Sequence, residues 1–326
     1  MPRDLHTLPK AHLHLHLEGS ARRSTAEEIV ERGGNRLVAP DEISGWAEFL
    51  GGYVSLMLAL TVDDVPRLCR ELLEDEASQG VTYTQPHVSP SVYALRFDMS
   101  MADALALLHD AFTSASAATG VAYGLVVNTD RVIDVARADE IASVAAEHAG
   151  QGVTALGLAG DESIGPCEPF ARAAAIAHDA GLLVVPHAGE LAGPESVWAA
   201  LEHLDADRIA HGIRAAEDPS LMKRLAGDGV ACDVCPTSNV KLGVVGEMGS
   251  HPLPRLLDAG VPVTINTDDQ LFFGPLLAAE YANVRDAFGL SDDELAGVAR
   301  TSAEVSGAPA DVVAAMHAGI DAWLAS

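Results

Sequence analysis

Eight short apolar runs rich in β-forming residues recur along this chain, at residues 12–17, 81–88, 121–128, 154–160, 182–189, 208–212, 231–236 and 262–269. Longer Ala/Leu-rich stretches of helical period lie between them, as at 62–80 and 167–181. Glycine follows several of these stretches, at Gly80, Gly181 and Gly260, where a helix C-terminus wants a left-handed residue. Strands alternating with helices require a parallel sheet covered by helices, and eight such units predict an α/β fold, a (β/α)8 TIM barrel. The segment 41–60, with Trp46, Phe49 and Tyr53, is longer than a simple connection needs. It predicts extra helices after strand 1, packed near the barrel mouth, with the aromatics serving as core more than as lid. No repeat or linker interrupts the pattern, so the 326 residues read as a single barrel domain, 1–326.

The first run is the unusual one. In "HLHLHL", His12, His14 and His16 occupy alternate positions, and in a strand alternate residues share a face. Imidazoles two residues apart can reach one metal ion. A solvated face that happens to be histidine-rich explains this segment equally well.

The rest of the chain decides between them. Residues with chemistry cluster at the C-terminal ends of the runs: His14 and His16, then His187 and Glu190, then His211, then Asp268 and Asp269. In a TIM barrel those ends converge on one face, where active sites lie. Two strand-1 histidines, a third imidazole and a carboxylate are nitrogen and oxygen ligands suited to zinc, with an open position for water.

The stretches "PKAHLHLHLEGS" (9–20), "LAGDE" (158–162), "HAGE" (187–190), "HGIR" (211–214), "CPTSN" (235–239) and "NTDD" (266–269) together resemble the adenosine deaminase family of the amidohydrolase superfamily. The resemblance runs from Leu8 to about Phe273. It implies that His14, His16, His187 and Asp268 bind one Zn2+ per chain, His16 and Asp268 also lying beside the substrate or water. It further implies that Glu190 protonates the purine at N1 and that His211 orients or deprotonates the water. Asp269 would hydrogen-bond N7, and the backbone at Gly160 would meet N3. The chemistry agrees: attack at C6 builds negative charge on the ring, so a carboxylic acid must donate at N1.

The implied activity is zinc-dependent hydrolytic deamination of a 6-aminopurine nucleoside such as adenosine or deoxyadenosine. Adenine and 6-aminodeoxyfutalosine are the alternatives. A different hydrolase on the same barrel would need a second metal, and "GLAG" (157–160) offers no bridging Lys or Glu. A non-catalytic nucleoside binder would be expected to lack a ligand or the acid, and all are present. The Cys232-x-x-Cys235 pair lacks the preceding proline of the cytidine-deaminase signature and reads as barrel packing. Some positions depart from the family pattern. His12 stands where an acid is usual, Gln85 for an acidic or small residue, His87 for Arg, Gly157 for Asp and Gln270 for Pro. These changes bear on substrate identity rather than on the chemistry.

Charge narrows the partners. Twenty basic against 47 acidic residues, net −27, leave no basic stripe for nucleic acid. No apolar run reaches the length of a membrane span and the N-terminus lacks a signal core, so no membrane and a cytoplasmic location are expected. The expected partner is a small aminopurine; oligomeric state is not encoded legibly.

Overall fold

The computed structural model describes residues 2–326. Its parallel strands follow chain order: β1 (Lys10–His16), β2 (Val81–Val88), β3 in two pieces (Ala122–Tyr123 and Leu125–Asp130), β4 (Val153–Ala159), β5 (Leu183–Ala188), β6 (Arg208–His211), β7 (Ala231–Val234) and β8 (Val263–Ile265). The break in β3 falls at Gly124, where a Cβ would lie 2.3 Å from Tyr83 Oη. A parallel bridge between Leu15 and Asp268 joins β8 to β1, with His16 N donating to Asp268 O and Asp268 N to His14 O, both at 3.1 Å. The result is a nearly closed eight-stranded barrel ringed by helices, as the sequence pattern predicts.

The β1–β2 connection holds three helices, α1 (Arg23–Arg32), α2 (Trp46–Ala59) and α3 (Val65–Ser78). Phe49 of α2 sits with ring centroids 5.5 and 5.1 Å from Phe272 and Phe273, just beyond Asp268 and Asp269. These aromatics therefore pack into the core while covering one side of the mouth. No single helix among the described residues is long and apolar enough to cross a membrane.

Inside the barrel, below the mouth, lies a polar floor. Buried Arg208 donates to Asp233 (3.0 Å), Gln85 Oε1 (2.7 Å) and Val305 O (2.8 Å). Thr264 and Asn266 extend the chain of bonds from Asp233 toward β1. A buried guanidinium is tolerated only when its donors are paired, and here they are. Gln85 belongs to this floor, away from any ligand at the mouth, so its departure from the family pattern does not touch substrate.

Strand β1 does not keep the simple alternation expected of it. Leu13 N and His14 N both donate to Asn266 Oδ1, at 2.8 and 3.1 Å, and the register against β2 shifts between His12 and Leu15. Two successive N–H groups on one acceptor make a β-bulge, which reverses side-chain parity. Leu13 packs with Ala11, Tyr83 and Ala303, while His14 turns into the mouth. His12 faces the other way: its Nδ1 meets both oxygens of Glu76 on α3 at 3.0 Å, and its Nε2 accepts from Thr267 N at 3.2 Å. The three histidines do not share one face.

Candidate active site

The mouth gathers five imidazoles: His14 and His16 from β1, His87 from β2, His187 from β5 and His211 from β6. Asp268 lies among them, its Oδ1 3.2 Å from His14 Nε2 and 3.4 Å from His16 Nε2. Ser238 Oγ holds its other oxygen at 2.7 Å. Glu190 Oε1 is 3.4 Å from His211 Nε2. The backbone is left-handed at His211 (φ 65°) and at Asp268 (φ 64°). A non-glycine residue held there costs roughly 1–3 kcal/mol and marks functional sites more often than others. At Gly19 a Cβ would lie 1.7 Å from Asp269 Oδ1, so that glycine lets the chain pass against the Asp269 carboxyl.

The donor set fits a metal ion. His14, His187, His211 and Asp268 each offer a ligand atom, all within 4.8 Å of one another, and His16 with His87 and His187 forms a second, overlapping group. His14 and His16 therefore fall in separate groups, joined through His187 and through their common neighbour Asp268. His14 Nε2, although close to Asp268, is buried without a hydrogen-bond partner. The distance is within hydrogen-bond reach, so it is the orientation that fails, as for two ligands that converge on one ion. His187 Nδ1 donates to Leu158 O at 3.1 Å, which leaves its Nε2 lone pair for the site.

Charge is divided sharply. Burial pushes the Glu190 carboxyl well above the usual range, and the negative charges of Asp268 and Glu162 add to it. Burial and Asp268 raise Asp269 in the same way. For Asp268 burial opposes ionisation, but His14 and His16 overcome it and its value falls well below normal. Two carboxyls with raised values beside one whose value is lowered is a pattern of acid and ligand roles.

A hydrogen-bond relay settles the state of His211. Leu253 N–H can only donate, so His251 Nδ1 accepts (3.1 Å) and its Nε2–H goes to Asn239 Oδ1 (3.2 Å). The Asn239 amide nitrogen then donates to His211 Nδ1 (3.3 Å), placing the ring proton on Nε2, toward Glu190, so that His211 keeps no free lone pair and the donors left for an ion include His14, His16, His187 and Asp268. Burial, reinforced by His14, lowers His211 to about 3, and burial lowers His251 to about 4. For His251 the folded value lies below the unfolded 6.5, so the unfolded chain takes up its proton first as pH falls. Stability is therefore lost between about pH 6.5 and 4, by roughly 3 kcal/mol for this group. Replacing His251 by Gln is expected to flatten that part of the curve in urea unfolding of the metal-free protein at about pH 7 and about pH 5.

Several supporting residues carry no motif. His251 lies off every strand end in the sequence, yet it is buried and bonded to Asn239, through which it steers His211. By sequence, Asp161 and Glu162 need do no more than cap the following helix. Glu162 instead accepts from Gly189 N (2.9 Å), Glu190 N (2.5 Å) and Ser196 Oγ (2.5 Å), fixing the turn that carries Glu190. Ser238 and Asn239 lay within the quoted "CPTSN" and could have been singled out as polar residues directly after a strand end. Gly160 directly follows β4 with φ 90°, at the mouth rim. Cys232 and Cys235 are free and buried.

The chain matches the family model for adenosine deaminase over residues 9–323. A Streptomyces coelicolor protein with the provisional name adenosine/adenine deaminase is 42% identical, covering 99% of this chain and 98% of that protein. The aminodeoxyfutalosine deaminase of the same species is 36% identical over 100% of this chain and 89% of its own length. Among solved structures, the adenine deaminase of Arthrobacter aurescens superposes with a TM-score of 0.89 at 29% identity, covering 98% of this chain and 99% of that one.

Proposed function

This chain belongs to the adenosine deaminase family, and on that premise we propose that it hydrolyses the exocyclic amine of a 6-aminopurine nucleoside, adenosine-like, releasing ammonia and leaving a 6-oxopurine. The observation that carries the reading is Glu190: a buried carboxyl whose Oε1 has no hydrogen-bond partner and lies 3.4 Å from His211 Nε2, its pKa raised by burial, beside an imidazole and carboxylate cluster. One zinc per chain, held by His14, His16, His187 and Asp268, would supply Lewis acidity and lower the pKa of a water toward neutrality.

The residues do the remainder. Glu190 donates its proton to ring N1 as water adds at C6, so negative charge does not accumulate on the ring. His211, with its proton on Nε2, orients that water. Asp269, kept protonated, donates to N7, an acceptor in every adenine. The Gly160 backbone meets N3. The water's first proton restores the Glu190 carboxyl that protonated N1; as the C6–N6 bond breaks, the proton of the added hydroxyl passes to the leaving nitrogen, so that C6 becomes a carbonyl and ammonia departs.

A second reading, the free base adenine, is favoured by Glu18. Both its oxygens are taken by tyrosine hydroxyls, Tyr53 at 2.6 Å and Tyr93, and the carboxylate is 2% exposed. Buried under two tyrosines, it presents little surface to a sugar hydroxyl. Ammonia release from adenosine, deoxyadenosine, adenine and 6-aminodeoxyfutalosine by zinc-loaded enzyme tests both. Turnover of adenosine supports the first reading, turnover of adenine alone selects the second, and ammonia from none of them overturns the proposed activity.

A further inference from the structure

His87 is the one imidazole of the mouth that no role above employs. It closes β2, is 1% exposed, and stacks on His14 with ring centroids 4.9 Å apart and planes 19° from parallel. His16 and His187 lie 5.1 and 5.6 Å away by the same measure. Its Nδ1 is 3.2 Å from Asn128 Oδ1. An amide oxygen only accepts, so the ring proton sits on Nδ1 and Nε2 carries a lone pair. That Nε2 is buried and has no hydrogen-bond partner. His16, His87 and His187 can each offer a ligand atom within 4.8 Å of the others.

The surroundings hold His87 in this tautomer. Asn128 Oδ1 occupies space that any side chain at residue 157 would need, since a Cβ at Gly157 would lie 2.0 Å from it. The departures from the family pattern at His87 and Gly157 thus meet at one amide. A buried lone pair left unpaired is destabilising. The barrel mouth bears that cost at an atom aimed among metal-binding imidazoles, where an ion would recover it.

We infer that His87 Nε2 is a further protein ligand of the ion bound at this mouth, alongside His14, His16, His187 and Asp268. The inference rests on the metal site of the proposed function. With water it gives six ligands in place of five, and widens the choice of ion toward those that accept octahedral nitrogen and oxygen ligands.

The test uses cobalt(II) as probe in the wild type, His87→Ala and His87→Gln. Metal affinity comes from competition with a chelating dye, coordination from the visible bands, and imidazole count from X-ray absorption of the wild type. Support would be four imidazoles in the wild type, affinity at least about tenfold lower in both variants, and visible bands that intensify as the shell contracts. Restoration of the wild-type bands in His87→Ala by added imidazole would support it too. Three imidazoles in the wild type overturn the inference even where a variant fails to fold. So does weakened binding with unchanged bands, which would make His87 a hydrogen-bonding neighbour of the ligands. A wild type that binds no divalent ion would instead remove the metal site itself, and the proposed function with it.

Discussion

Glu190→Gln is expected to lower kcat by about 10²–10⁴, the range for loss of a positioned general acid. Gln keeps the shape of Glu, and the turn is held through backbone N–H groups that Glu162 accepts, so fold and metal content should be unchanged. What disappears is the proton. Burial and the neighbouring Asp268 and Glu162 charges keep Glu190 protonated well above the pH at which a free glutamic acid ionises. The acid form is the working form, so wild-type activity should fall as pH rises through the raised value. The variant should lose that basic limb along with the rate. Ammonia release across a pH series measures both, and a variant with wild-type kcat would show that another group protonates the ring.

Removal of the metal should cost at least as much. Lewis acidity at such a site is worth several kcal/mol, or about 10³ and more in rate. Chelation followed by dialysis is expected to abolish ammonia release, and zinc to restore it. Asp268→Asn is the sharper version. Asn tolerates the left-handed backbone at this position (φ 64°) and can still accept from Ser238, so the fold is spared while the anionic oxygen between His14 and His16 is lost. Its metal content by elemental analysis should fall with its activity. Full activity in metal-free enzyme would sink the hydrolytic mechanism described above.

Much of the site was legible because barrels bring strand ends together. Once eight strand–helix units are counted, residues as distant as His14, His187, His211 and Asp268 must approach one another, and they do. The supporting residues were not legible by the same logic. Glu162 looks like any acidic residue after a strand, and its grip on the Glu190 turn depends on where the next strand's loop passes. His251 lies off every strand end, and only packing against Asn239 connects it to His211. Gln85 lies inside β2, yet its partner Arg208 is 123 residues away and draws it into the floor.

Strand β1 shows where the line falls. The alternation of His and Leu determined that this segment is a strand and that His14 and His16 share a face, because a two-residue period fixes that locally. It could not determine that His12 faces away. The Asn266 side chain, directly after the last strand, takes two consecutive N–H groups of β1 and inserts the bulge, and parity reverses between His12 and His14. Local geometry sets the period of a strand, whereas its phase at a bulge is set by a hydrogen-bond partner that only barrel closure delivers.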